Sequence, residues 1–368
     1  MRRRTWWQIV FLDGHSSKLA GAGFPAWLAK FDTKLPLNVN DSDLSPAMKE
    51  LPKEKEGATE MMFCCMRYEV AQALRKTGSF QKGDNTSDWH IPIGVDLIAE
   101  KDKAIGELEV EFERRFVQHC DPSVPLHLLV ICVAKSVICT MKIMAHHPRQ
   151  YPDKGASMPQ REKDMVFAES LKELELDTLG HTTKSVQGFT WHITAHFQLD
   201  AFIYLLSELR HRTTGKLVDR AWEQIRLSYE YRPELTTDTK NSLYVAIGNL
   251  TLKAWQKRED AIGSQVPPPR FISVLRSQRN IPDPPRPTTQ LQNQESYQRL
   301  PMIDYINNAP LQFNTQQESA IQWGEVGNIS LEFDMQMPDI TPVDWEYWQT
   351  LMDGDLPAYN GGPQQDLF

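Results

Sequence analysis

The residues best placed to do chemistry lie near the C-terminus, where aromatic side chains stand among acids. Asp344-Trp345-Glu346-Tyr347-Trp348-Gln349-Thr350-Leu351-Met352-Asp353 sets Trp345, Trp348 and Met352 at i, i+3 and i+7. A little earlier, Ile329-Ser330-Leu331-Glu332-Phe333-Asp334-Met335 alternates apolar and acidic residues. Acids repel one another and keep the apolar side chains accessible, while a transient helix presents them to a groove. That is how an acidic activation segment would bind a coactivator, and Phe333, Trp345, Trp348, Leu351 and Met352 are the candidate contact residues. Met302-Ile303-Asp304-Tyr305-Ile306 is a weaker cluster of the same kind. The competing reading is a short helix at 344–353 that docks on the rest of the chain. The two can coexist, since docking would be a means of autoinhibition.

Elsewhere the candidates for chemistry are thin. His192 and His196 stand four apart, a spacing able to hold one metal ion. Ile193 occupies the place of the glutamate in His-Glu-x-x-His and no third ligand is apparent, so both are read as core or helix-surface histidines. His146-His147 ends a helix, where partial positive charge is favourable. There is no nucleophile elbow, no phosphate loop and no dinucleotide fingerprint; Gly21-Ala22-Gly23 lacks the third glycine. Asp41-Ser42-Asp43, beside Pro46, is a poor imitation of a magnesium-holding aspartate motif. No catalytic, cofactor-binding or metal-binding residue is expected, and an all-α enzyme is the distant alternative.

The elements that must position these residues are helical. Met62, Cys65, Met66, Val70, Ala73 and Leu74 repeat with the rhythm of one buried stripe across 59–77. A second helix starts at Asp96 and runs through Phe112 and Phe116. A third, very apolar one follows Asp121-Pro122 and is stopped by Pro148. Further helices are expected at 160–178, 187–211, 216–231 and 239–260, with at most a short extended piece near 33–39. The fold class is all-α. The run Leu126–Met144 carries Lys135 and Lys142, which are costly at bilayer depth, so no membrane is expected. Five cysteines in apolar helical runs read as reduced core thiols.

Charge divides the chain. Residues 288–368 hold 12 Asp and Glu against Arg299 alone, whereas residues 1–287 hold 39 basic and 36 acidic residues. Neither part has the basic balance of a DNA-binding surface. Eight prolines between Val266 and Pro301 read as an extended linker without helices. The expected organisation is a helical domain at 1–262, a Pro-rich linker at 263–301 and a disordered acidic tail at 302–368.

Arg3-Arg4-Thr5-Trp6-Trp7-Gln8-Ile9-Val10-Phe11-Leu12-Asp13 resembles the Arg-Arg-x-Trp-Trp helix in the middle domain of fungal zinc-cluster (Zn2Cys6) transcription factors. Phe31-Asp32-Thr33-Lys34-Leu35-Pro36-Leu37-Asn38-Val39-Asn40-Asp41-Ser42-Asp43-Leu44 resembles the loop that follows it there, in the same order and at a matching separation. Cys120-Asp121-Pro122 and His146-His147-Pro148 carry the likeness over 1–150, and a generic helical likeness continues to about 260. The motif residues Arg3, Arg4, Trp6, Trp7, Asp13, Pro36, Asn40 and Asp41 are read as structural. Trp6, Trp7, Val10 and Phe11 make one stripe for burial. Arg3 and Arg4 either pair with nearby carboxylates or are surface arginines. The Asn and Asp residues of 36–46 make a rigid loop whose carboxylates are poor cation ligands.

The resemblance implies an all-α module that gates activation and takes part in effector or partner binding, with DNA held by a separate zinc cluster. The cluster's two Cys-x2-Cys-x6-Cys groups are not found, and the Arg-Arg-x-Trp-Trp helix starts at residue 3 although it lies well inside the middle domain of the family. The expectation is therefore an incomplete middle domain without the zinc cluster, with no cofactor in the chain and no direct DNA binding. It would be a fungal, nuclear regulator of RNA polymerase II genes, by resemblance those of a natural-product cluster. Its partners would be transcriptional coactivators or other regulators, with homodimers and heterodimers both open. The alternative is a helical interaction or effector-sensing module with no activating role.

Overall fold

The computed structural model describes residues 1–19, 31–76, 95–151, 153, 155–263 and 267–281. Phe333, Trp345, Trp348, Leu351 and Met352 lie outside the described residues, as do Met302–Ile306 and Gly21–Gly23. The described residues fall in one contiguous-contact unit and are helical, with no strand among them. Residues 33–39 run extended without a ladder partner.

α1 (Arg2–Leu19) turns Trp7 and Val10 inward. α2 (Met62–Lys76) starts behind Thr59, whose hydroxyl accepts from the Met61 amide at 3.1 Å. α3 (Val95–Arg115) ends in Arg114 and Arg115, the sign that suits a helix C-terminus. α4 (Pro125–Ala145) opens on a proline at its first turn, where the missing amide costs nothing, and closes before Pro148. α5 (Gln160–Thr182) follows. The helix expected over 187–211 is broken into three: a 3-10 turn at Lys184–Phe189, α6 (Thr190–Ala195) and α7 (Leu199–Leu209). The break falls at His196, whose Nδ1 reaches back to the His192 carbonyl at 2.8 Å. α8 (Lys216–Tyr231) occupies the expected span, α9 (Glu234–Thr237) is one turn, and α10 (Ser242–Ile262) is capped by the Asn241 side chain.

One expectation is overturned. Within the stretch read as a helix-free linker, residues 270–278 form α11 (Arg270–Gln278). The three prolines 267–269 precede the helix, where their missing amides are harmless, so they start it rather than forbid it. Its apolar stripe buries Phe271, Ile272 and Leu275, and Phe271 stacks on Tyr229 at 4.6 Å. Buried Arg276 pairs with Glu259 of α10 at 2.5 Å, so the helical domain extends to at least residue 278.

Two hydrophobic clusters share the fold. The first joins α1, α2, α3 and one face of α4 around Trp7, Met62, Met66, Phe112 and Phe116. The second joins α5, α7, α8, α10 and α11 around Phe167, Phe202, Leu206 and Ile225. α4 lies between them, packed on α3 and α5. It is long and apolar enough to cross a membrane, yet Val130, Ala134 and Ile138 face the first cluster and Ile143 the second. Its apolarity is that of a helix buried on several sides. All five cysteines are free thiols.

Candidate functional site

The motif at the N-terminus forms a clasp around the chain that follows it. Arg4 forms an ion pair with Asp41 and reaches the Val39 carbonyl, while Arg3 donates to the Leu35 carbonyl at 3.4 Å. Trp7 donates its indole N–H to the Lys34 carbonyl at 3.0 Å, stacks on Tyr68 and meets Phe31 edge-on. Trp6 also contacts the Phe31 ring edge-on, and the buried Pro36 offers its carbonyl to the Cys65 thiol. Asp13 is half-buried in α1, and its Oδ2 has no hydrogen-bond partner among the described residues.

The loop's asparagines tie it across to residues 54–60 as well as to itself. Buried Asn38 donates to the carbonyls of Lys55 and Gly57 and accepts from the Thr59 hydroxyl at 2.5 Å. Asn40 accepts from the Glu60 amide, and Asp43 accepts from the Asn40 amide at 2.9 Å. Asp43 also pairs with Lys55 at 2.6 Å, which with the Asn40 amide holds its carboxyl below the usual range. With Asp41 on Arg4 and Asp43 on Lys55, the loop's carboxylates already have cationic partners.

A different arrangement occupies the far side of α4. There a partly enclosed pocket of about 220 Å³ is lined by α4, α5, α6, the preceding 3-10 turn and Val70 of α2. Its walls are mainly apolar: Leu129, Val133, Val137, Met141, Leu176 and Val186. Into it face Ser136 and Thr140 from α4, Glu173 from α5, and His192 and His196. At the rim, Arg232 makes a two-pronged pair with Asp177 at 2.9 and 2.6 Å and lies over the Phe197 ring.

Glu173 is the unusual group. It is 4% exposed, and its Oε1 accepts from the Ser136 hydroxyl at 2.6 Å, whereas Oε2 has no hydrogen-bond partner among the described residues. Burial pushes its carboxyl up to about 8, aided by the nearby carboxylates of Asp177 and Glu169 and opposed by Ser136 and Lys172. Near neutrality it is chiefly a neutral acid and a hydrogen-bond donor.

The two histidines that the spacing singled out do line the pocket, but not as a metal pair. Their rings lie 4.0 Å apart, and His196 Nδ1 is engaged with the His192 carbonyl. Among the described residues no group of three or more His, Cys, Asp or Glu is arranged to hold a metal ion. Glu173, Ser136 and Thr140 were not singled out from the sequence. The available signal was the pair of hydroxyls four residues apart in an otherwise apolar helix, which puts both on one face.

The sequence is similar to those of several fungal transcription factors. An aurofusarin cluster transcription factor of Gibberella zeae is 32% identical over 391 aligned positions, covering 100% of this chain and 55% of its own length. A C6 finger domain transcription factor of Aspergillus fumigatus is 26% identical over 68% of this chain and 35% of its own. Over most of its length the chain is homologous to fungal C6 transcription factors. A pyriculol/pyriculariol biosynthesis cluster transcription factor of Pyricularia oryzae is 27% identical over 75% of this chain and 38% of its own. The chain thus spans about half or less of the length of these relatives. No family model matches the chain, and no solved structure does.

Proposed function

We propose that this chain is the helical regulatory portion, with an acidic tail, of a fungal regulator of RNA polymerase II transcription, serving a natural-product gene cluster from the nucleus. The observation that carries the reading is the match of the whole chain to a factor named for such a cluster. The helical body gives the regulator a stable scaffold with a pocket at its centre. The tail supplies acids and aromatics for a coactivator groove through Phe333, Trp345, Trp348, Leu351 and Met352. The reading includes no catalytic step.

The tail assignment is tested by fusing residues 329–368 to an unrelated DNA-binding domain. The fusion should drive a reporter, and its Trp345→Ala/Trp348→Ala version should lose most of that output. Equal output from the two would remove the coactivator assignment. A second reading, a sensing module without its own activating segment, is favoured by the pocket and would follow from a silent tail.

A further inference from the structure

Apolar pockets in a helical core gain stability by closing, and this one stays open with a polar floor. Among the described residues, Glu173 Oε2 is buried and has no hydrogen-bond partner, and Thr140 Oγ1 of α4 is likewise buried and without one. A buried polar atom left unpaired costs on the order of 1–3 kcal/mol, so its retention calls for a partner. Gly180 lets α6 pack closely on α5, since a Cβ there would stand 2.6 Å from the Ile193 side chain.

We propose that the pocket between α4, α5 and α6 binds an uncharged ring-shaped molecule of bicyclic size, whose carbonyl or phenolic oxygen accepts a hydrogen bond from the Glu173 carboxyl. Size follows from volume: an apolar cavity of roughly 150 Å³ takes benzene, and this one is about 220 Å³. Shape follows from the walls, which are aliphatic and thioether side chains with the His192 ring at one end. Neutrality follows from the floor. A protonated acid donates to an oxygen and gives no charge to a cation, and an anion would find no Lys or Arg among the lining residues. The inference concerns binding and stands apart from the transcriptional reading.

Calorimetric titration of the full chain tests it, with 1-tetralone as the oxygen-bearing probe, tetralin as its hydrocarbon counterpart and 1-naphthylmethylamine as the cation. The ketone should bind one per chain and about tenfold more tightly than tetralin, the size of one hydrogen bond. Glu173→Leu should erase that preference and leave tetralin unchanged. Glu173→Gln keeps a donor and should hold the ketone within about threefold. Val133→Phe, which fills the pocket, should abolish binding of both at unchanged helicity. Should the leucine variant not fold, the preference in the native chain and its retention in the glutamine variant decide the matter. No saturable binding of the ketone, equal affinity for ketone and hydrocarbon, or tighter binding of the amine would each overturn the proposal.

Discussion

The N-terminal clasp and the pocket both bury polar side chains, and they treat them oppositely. In the clasp, Asn38 makes three hydrogen bonds and Trp7 finds a carbonyl for its indole. In the pocket, Glu173 satisfies one oxygen and leaves the other. Polar groups that are fully paired rigidify a fold, whereas a half-paired one is a cost that a ligand can remove. The residues that carry the resemblance therefore make contacts that tie the fold together, and the residues of the proposed binding site carry no motif at all.

The largest effect should come from the clasp. Trp7→Ala removes a side chain 1% exposed and should cost about 3–5 kcal/mol in urea unfolding. Asn38→Leu removes the donor to two carbonyls and the acceptor of the Thr59 hydroxyl proton, and should cost about 2–3 kcal/mol. If either variant retained native stability, the clasp would not be the scaffold described.

Glu173→Gln should behave differently, changing how stability depends on pH. The folded carboxyl sits near 8, above its ordinary 4.5, so the folded chain holds this proton more tightly. Its contribution is whole below about pH 4.5 and is lost as pH rises to about 8, at up to about 1.4 kcal/mol per unit. The glutamine variant lacks that titration, so it should gain on the native chain from pH 5 to 8 in urea midpoints. A constant difference would contradict the neutral acid. The smallest effect belongs to Arg4→Ala, because Asp41 is 74% exposed on its side chain and such pairs contribute about 0–1 kcal/mol.

Much of the scaffold was legible. The apolar stripe of α2, the proline-bounded α4 and the span of α8 follow from period and punctuation, because each is decided by local residues. α11 was missed since proline count was weighed without regard to proline position. The pocket was missed for another reason: Ser136, Glu173 and His192 come from three elements and meet only when α4 packs along α5. Only the histidine spacing pointed near it, and those two side chains read as core or helix-surface histidines. His146 shows the same limit: it does end α4, but there it lies between Asp102 and Glu162, at 2.8 and 3.2 Å, contacts no local pattern reveals.

A role for this chain in regulating transcription is tested most directly by a reporter driven by the full 368-residue chain fused to an unrelated DNA-binding domain. Output several-fold above the DNA-binding domain alone is the predicted result. A fusion that is intact and nuclear, yet leaves the reporter at the level of that domain alone, would contradict it.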